Sequence, residues 1–561
     1  MKKILTIILA VAMLLSASAM AEAHWDLEGT IFPLEEPVHF DILTSGYDYG
    51  DIKKIEENKD WQSLLAATNV DIDFVYLGPY SSEDTRELMQ TRLLNGDYCE
   101  AIWSFYFSTL TMTDIFDLGT AGMVLDLTPY ISNPELMPNF NKNVPDSLVR
   151  NFKSSNGSIY AMRPVTQVNA YTAGEGMFQV NVAWMEQWQQ ATGIDHSPAT
   201  AEEFEDMLTY FRDNDMNGNG DPTDEIPYFM VQATVNGNAT VEHAMSPWGL
   251  ATKDSGPDMN IQINDDNQCY YIMTTDAYRA ALTQLADWYA KGLIYEDVFT
   301  ANLETITAIV GDAKNQFGVV NMVYNTDGFE PILPYSVDGY NTRVFMHPTA
   351  RSGVDNPNFV ITDKCQNPDV LMAFLDLTYN VFNGLQIRYG SMAFEEGSYA
   401  YEHQDSHTTI TINDEGKYVF HMPAVEERVN VPDDVGMFWR MLTAFNGPLT
   451  LEITDEQFDM DSYLGDQPNV RGFKLYDEAG IWNPTDLIWG RYTLLDADQS
   501  DYTFMYADAF ATLAEYRAAF LVGEKEINDD TWNEFQEQLK ANGIDEMIEM
   551  VQRAYDAYLA L

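Results

Sequence analysis

Residues 200–231, TAEEFEDMLTYFRDNDMNGNGDPTDEIPYFMV, carry a helix, a polar loop and a strand in one unbroken run. Thr200 and Glu203 have capping-box spacing, and Phe204, Met207, Leu208 and Phe211 recur at i, i+3, i+4 and i+7, so the first part is an amphipathic helix. EIPYFMV reads as a buried strand. Between them, residues 213–227 hold five carboxylates, three asparagines and two glycines. Carboxylates packed this densely repel one another unless something neutralises them. Hard oxygen ligands at alternate positions, with a glycine at the turn, are what Ca2+ requires. Two registers satisfy it. One starts at Asp213 and continues through Asp215, Asn217, Gly218 at the turn, Asp221 and Asp224. The other uses Asp215, Asn217 and Asn219, turns at Gly220, and closes on the Asp221 carbonyl, Asp224 and Glu225. A sensor loop has helices on both sides, whereas a strand follows here, so the expected role is structural.

Working outward, the same alternation recurs. PVHFDILTS (37–45), VDIDFVYL (70–77) and YCEAIWSF (98–105) read as strands. IKKIEENKDWQSLLAATN (52–69) and EDTRELMQTRLLNGD (83–97) read as the helices between them. Such spacing argues for right-handed βαβ units on a parallel sheet. A second α/β segment starts at MFQVNVAWMEQW (177–188), passes through the opening stretch, and continues in the helix 277–293 and the strand 315–325. TTITINDEGKYVF (408–420) reads as a hairpin turning at Asp414-Glu415-Gly416. From about residue 501 the pattern is helical. Trp532, Phe535 and Leu539 form one stripe, and Met547, Ile548, Val551 and Tyr555 another. The expectation is an α/β protein with two α/β lobes and a helical C-terminal region. Trp184, Trp188 and Trp532 fall on helical stripes and are expected in the core.

The first residues, MKKILTIILAVAMLLSASAMA, have the two lysines, apolar run and small-residue end of a secretory signal peptide over 1–21. The mature chain is expected to be exported and not membrane-spanning. No cysteine follows this leader, so a lipid anchor has no acceptor there; the first cysteine is Cys99. The formal charge is −57, and removing Lys2 and Lys3 takes it to about −59. Such a field repels nucleic acid and anionic lipid, and with no basic run to offset it nucleic-acid binding is excluded. Cys99, Cys269 and Cys365 lie far apart, an odd count that makes a poor disulfide framework, so inert thiols are expected. His403 and His407 in EHQDSH sit at i, i+4, but in a polar stretch that reads as a solvated loop rather than a zinc site.

FQVNVAWMEQWQQATGIDHSPATAEEFEDMLTYFRDNDMNGNGDPTDEIPYF resembles the family 1 extracellular solute-binding proteins of ABC importers, in the lipoprotein-type and alginate-binding branch. LLNGDYCEAI, NGSIYAMRP, WYAKGLIYEDVF, ITDKCQNPDVLMAFLDLTYN and the C-terminal FLVGEKEINDDTWNEFQEQLKANGIDEMIEMVQRAYDAY extend the resemblance over nearly the whole mature chain. The resemblance implies a periplasmic-binding-protein-like type II fold, whose two lobes close over a hinge in a Venus-flytrap motion. The expected division is lobe 1 over 22–165 and 351–425, and lobe 2 over 166–350 and 426–561. For the loop it implies the second register: Asp215, Asn217, Asn219, Asp221, Asp224 and Glu225 around Ca2+. The implied partners are an ABC transporter's permease subunits and a small-molecule ligand, with an oligosaccharide expected, and a monomeric, extracellular or periplasmic protein that is not an enzyme. Sugars stack their apolar faces on aromatic rings and hydrogen-bond charged groups. The candidate contacts are therefore Trp103, Tyr106, Trp248, Arg388, Tyr389, Trp439 and Arg440, each with a core or surface place as its alternative. A secreted hydrolase using paired carboxylates is the rival, as is a calcium-dependent adhesion module. No common catalytic motif supports the first, and the single acidic loop argues against the second.

Overall fold

The computed structural model describes residues 25–46, 53, 55–79, 82–104, 110–163, 176–232, 240–250, 260–264, 266–321, 327–344, 358–394, 407–421, 459, 462, 468–481 and 496–560. The leader lies outside them. The chain divides into two compact units: Met1–Ser154, Ser158–Thr166 and Val354–Tyr463 form one, and Ser155–Gly157, Gln167–Gly353 and Leu464–Leu561 the other. The sequence division ended the return segment at 425, whereas here the last passage to the second unit follows Tyr463.

In the first unit β1 (Val38–Gly46), α1 (Lys59–Thr68), β2 (Val70–Pro79), α2 (Glu83–Leu94) and β3 (Ala101–Ser104) follow in turn. Asn58 breaks the helix expected over 52–69: its side chain accepts a hydrogen bond from Trp61 N at 3.0 Å and so starts α1 afresh. β1 pairs in parallel with β2 (Val38 opposite Val70) and with β3 (Ile42 opposite Ala101). Phe40 and Ile42 face one cluster with Trp61 of α1, while Leu43 and Ile102 face another with Met89 and Leu93 of α2. Each face thus carries a buried cluster, as βαβ crossovers demand.

The chain then builds the second unit. Its parts are β4 (Phe178–Asn181), α3 (Val182–Thr192), α4 (Ala201–Asp213), β5 (Ile226–Phe229), the ribbon β6 (Ile261–Ile263) and β7 (Cys269–Tyr271), α5 (Asp276–Ala290), β8 (Phe317–Asn321) and β9 (Phe329–Pro331). The sheet order is β5-β8-β4-β9, with β5 and β8 parallel and β4 antiparallel to β8 and β9. Thr200 caps α4 by accepting from Glu203 N, while the Glu203 carboxylate reaches back to Ala199 N at 2.8 Å, one residue earlier than a reciprocal box would place it. The predicted stripe Phe204, Met207, Leu208 and Phe211 is fully buried with Trp184, Trp188, Trp288 and Tyr335. Burying each such side chain contributes about 1.5–3 kcal/mol.

The return to the first unit adds β10 (Phe359–Ile361), α6 (Pro368–Asp376) and the hairpin β11 (Thr409–Ile412) and β12 (Tyr418–His421). β10 joins the first sheet beside β3 but antiparallel, Phe359 opposite Trp103, so the expected parallel sheet is mixed, in the order β10-β3-β1-β2. A strand arriving after a long excursion is not bound by the right-handed crossover that fixes β1 to β3. The final passage brings α7 (Pro468–Glu478), α8 (Asp496–Leu521), α9 (Asp529–Ala541) and α10 (Ile544–Ala560) into the second unit, where Trp532, Phe535, Leu539, Met547 and Val551 are buried. Among the described residues no helix is long and apolar enough to cross a membrane.

Candidate functional site

In the first unit β2 lies on one side of β1 and β3 on the other, so the strand order reverses at the β1–β3 boundary. Ligands of open α/β sheets bind outside the carboxyl ends of the strands at such a switch point. There the β1–β2 register slips between Thr44 and Gly46, a bulge of the kind that re-aims side chains. Thr44 is spent internally, its hydroxyl donating to Trp103 O at 2.7 Å. The Ser45 hydroxyl is buried and has no hydrogen-bond partner. In the second unit the carboxyl end of β5 runs on to Gln232, whose two amide atoms are both buried and unpartnered, as are the hydroxyls of Thr240 and Ser246. Asn321, ending the parallel neighbour β8, is instead satisfied by Tyr228 Oη and by Gly176 O. Buried polar atoms without partners are rare and ask for a reason. Ser45 on β1 and Gln232 just beyond β5 each place such atoms near a strand's carboxyl end, where a polar ligand would supply the missing bonds.

The second constellation is the acidic loop between α4 and β5. Gly218 and Gly220 have φ of 75° and 92°, which lets the chain turn twice in three residues. Asp215 Oδ2 accepts from Gly220 N at 2.9 Å, Asn217 Oδ1 from Asn219 N at 2.9 Å, and Asn219 Oδ1 from Asp221 N at 2.7 Å. Asp221 accepts from Thr223, whose N–H and hydroxyl hold its carboxyl below the usual aspartate range. Glu225 Oε1 accepts from Met216 N at 2.8 Å, and Asn219 Nδ2 donates to Asp224 Oδ2 at 2.6 Å. Two oxygens are left over: Asp215 Oδ1 and Glu225 Oε2 are both buried without a hydrogen-bond partner. Burial raises the pKa of Glu225, with Asp224 adding to it. Asp213, by contrast, is engaged twice by Arg212, at 2.7 and 3.0 Å, and this pairing lowers its pKa. An oxygen-rich turn with two orphaned anionic oxygens fits a hard divalent cation.

No protein-family model matches the chain. The fructooligosaccharide ABC transporter substrate-binding protein FusA of Streptococcus pneumoniae is 22% identical over 562 residues, spanning 97% of this chain and 95% of FusA. Over nearly its whole length the chain is thus similar to an extracellular solute-binding protein of an ABC importer. The fold agrees along its whole length. An HMO-binding solute-binding protein from Bifidobacterium longum infantis matches with a TM-score of 0.69 at 18% identity, over 94% of this chain and 99% of that one. FusA, solved as an EF-hand mutant with fructo-nystose, gives 0.67 at 17% identity, over 93% of this chain and all of FusA. Alginate-binding protein AlgQ2 without calcium gives 0.60 at 18% identity, over 96% and 100%.

The aromatic candidates fare differently from the strand ends. Trp103 is 1% exposed, edge-on to Phe359 at 5.3 Å, because its strand is covered on both faces; it is a core residue and not a ligand platform. Trp248 is likewise buried, meeting Tyr335 at 6.0 Å at the end of the 3-10 turn Glu242–Trp248. Tyr389 is half-buried against Phe420 of β12 at 5.7 Å. Arg388 lies in the helix Val381–Tyr389, but its side chain, with Tyr106, Trp439 and Arg440, lies outside the described residues. Trp184, Trp188 and Trp532 are in the core as expected. His407 is 1% exposed, so it is not part of a solvated loop; His403 lies outside the described residues. The three cysteines are free, and burial pushes Cys269 to about 12 and Cys365 to about 11, which keeps both as thiols.

Proposed function

We propose that this solute-binding protein captures a neutral oligosaccharide outside the cytoplasm, hands it to the permease of an ABC importer, and holds a structural Ca2+ in the loop between α4 and β5. The end-to-end match to FusA carries the reading, because FusA is a fructooligosaccharide-binding component of such a transporter. The buried, unpartnered Ser45 hydroxyl on β1 and Gln232 amide just beyond β5 support it, since sugar hydroxyls both donate and accept. The charge of −57 weighs against polyuronates. For the cation, Asp215, Asn217, Asn219, Asp224 and Glu225 would supply side-chain oxygens and Asp221 its carbonyl. The two orphaned oxygens of Asp215 and Glu225 and the prior engagement of Asp213 with Arg212 favour that register. Bound Ca2+ would supply only positive charge to a crowded anionic turn. The mature protein, exported by its leader, acts as a monomer.

Calorimetric titration and tryptophan fluorescence against kestose, fructo-nystose, milk oligosaccharides, an alginate oligomer and short peptides test the ligand. One neutral oligosaccharide binds without turnover. Gln232→Ala and Ser45→Ala each weaken it about tenfold, the loss of roughly 1–1.5 kcal/mol expected for a hydrogen bond. Release of shortened sugar, or binding of a peptide and of no saccharide, overturns the reading.

A further inference from the structure

The neighbouring strands β1 and β2 carry a group of side chains that solute capture does not use. His39 and Asp41 on β1 stand directly opposite Asp71 and Asp73 on β2. All four are exposed, on the solvent-facing side of the strands at their amino-terminal ends. His39 Nδ1 lies 2.8 Å from Asp71 Oδ2, and this bond turns the other ring nitrogen, Nε2, towards Asp41 Oδ1 at 3.5 Å. One ligand atom each from His39, Asp41 and Asp73 lies within 4.8 Å of the others. Asp41 and Asp73 face each other in register, a like-charge juxtaposition that destabilises a sheet unless a cation lies between.

We infer that His39, Asp41 and Asp73 form a binding site for a divalent transition metal of the zinc class, with Asp71 as the carboxylate that orients His39. Zinc bound tetrahedrally at about 2.0–2.2 Å from nitrogen and oxygen separates its ligands by about 3.3–3.5 Å. The His39–Asp41 separation is already at that value, and Asp73 offers an oxygen within 4.8 Å of both. The hydrogen bond from a metal-ligating histidine to a carboxylate is the usual outer-shell partnership, fixing the tautomer and raising the basicity of the ligating nitrogen. All four residues sit on paired strands of a packed sheet, so the ligands are held by the backbone register and not by a loop. Three protein ligands leave a fourth position for water or for a group from outside. The charge sum is favourable as well: two ligating carboxylates with one neutral imidazole bind M2+ without leaving a net positive centre. The site is separate from the acidic loop, which lies in the other compact unit.

The test is a calorimetric titration of Zn2+ into the tag-free protein held in saturating Ca2+, repeated with Co2+ as a spectroscopic probe. Wild-type protein binds a first equivalent, with the visible bands of tetrahedral Co2+. His39→Ala removes that equivalent and the bands. Asp71→Asn, which leaves every ligand in place, lowers the affinity 10–100-fold, the usual cost of losing an outer-shell partner. Asp215→Asn in the acidic loop leaves both unchanged. His39 and Asp71 are exposed, so the variants keep the fold, and unchanged melting in EDTA checks it. Zn2+ binding that survives His39→Ala, or that is lost with Asp215→Asn, overturns the inference, as does a first equivalent indifferent to Asp71→Asn.

Discussion

Removing the proposed Ca2+ from the acidic loop should destabilise the second unit by an amount the structure bounds. Chelation leaves Asp215 Oδ1 and Glu225 Oε2 buried without partners. An orphaned buried acceptor costs about 1–3 kcal/mol, so roughly 2–6 kcal/mol of unfavourable energy is relieved by a cation that takes both. Mass action gives a second bound: a ligand at 100 times its Kd stabilises by about 2.7 kcal/mol, the situation of millimolar Ca2+ over a site of about 10 μM. The two agree at the lower end. For domains of a few hundred residues, 1 kcal/mol moves Tm by about 2–4 °C, so EDTA should lower Tm by about 5–10 °C. Calorimetric melts in Ca2+ and in EDTA read this directly. Glu225→Gln should abolish the difference and Asn219→Ala should shrink it, whereas Asp213→Ala, which breaks only the Arg212 pair, should leave it. The pH dependence has a definite sign. The carboxyl of Glu225 must be ionised to ligate, and burial raises its pKa above the ordinary glutamate value. In EDTA a raised carboxyl contributes stability at low pH that is lost as pH rises through its folded pKa. In Ca2+ the dependence is reversed, because acid displaces the cation. The two melting temperatures should therefore converge on acidification, starting just above the ordinary glutamate range. Equal Tm values in Ca2+ and EDTA near neutral pH refute the reasoning, and loss of the shift with Asp213→Ala refutes the register.

Two further expectations concern each unit's own core. Asp376, at the end of α6, accepts from Asn139 N, Asn139 Nδ2 and Phe140 N at 3.1, 2.9 and 2.8 Å, yet burial pushes its pKa up to about 6. Its folded value lies about two units above the ordinary 3.8, so the stability it contributes in acid is lost as pH rises through about 6, at roughly 3 kcal/mol. Urea denaturation of wild type and Asp376→Asn between pH 4 and pH 7 should diverge by that order in the variant's favour as pH rises; parallel curves sink the assignment. In the second unit Glu242 and Arg517 of α8 form a fully buried ion pair at 2.5 Å. Arg517→Met should cost about 3–5 kcal/mol in urea melts by stranding Glu242, and adding Glu242→Gln should restore much of it. A double variant as unstable as the single would show that the loss came from packing and not from charge.

What the sequence made legible follows from what is local. The stripe Phe204, Met207, Leu208 and Phe211 is buried because a 3.6-residue period depends only on the helix itself. The strands β1, β2 and β3 could be placed for the same reason, through alternation and turn signals. The antiparallel edge β10 could not, since it pairs with β3 across more than two hundred residues and nothing in FVI states a direction. Trp103, a candidate contact with a core place as its alternative, takes the core place because Phe359 of β10 and Phe74 of β2 pack against it. Ser45 and Gln232 were missed because an unsatisfied buried atom exists only once the surroundings are assembled. His39, Asp41, Asp71 and Asp73 were invisible for a sharper reason. HFD and DID each read as ordinary solvent-facing alternation, and only the register of β1 on β2 makes four polar residues into one cluster.

The acidic loop, finally, is built to hold one shape. Its first residues are anchored from outside: Met216 is buried in the core, and its carbonyl accepts from Gln187 Nε2 of α3. Its last residue is anchored as firmly, since Glu225 leads straight into β5, where Tyr228 and Phe229 are almost wholly buried. The Glu225 carboxylate then ties the end to the beginning through Met216 N. A calcium switch needs an element with two arrangements of similar energy, one favoured by the ion. Here any second arrangement would pull Met216 out of the core or slide β5 against β8, and either loss opposes what one cation returns. A cation bound between Asp215 and Glu225 would therefore deepen the existing well without moving it. Extracellular Ca2+ is abundant and steady, so such a loop reports nothing; it keeps β5, and with it the polar end at Gln232, where the sheet has put it.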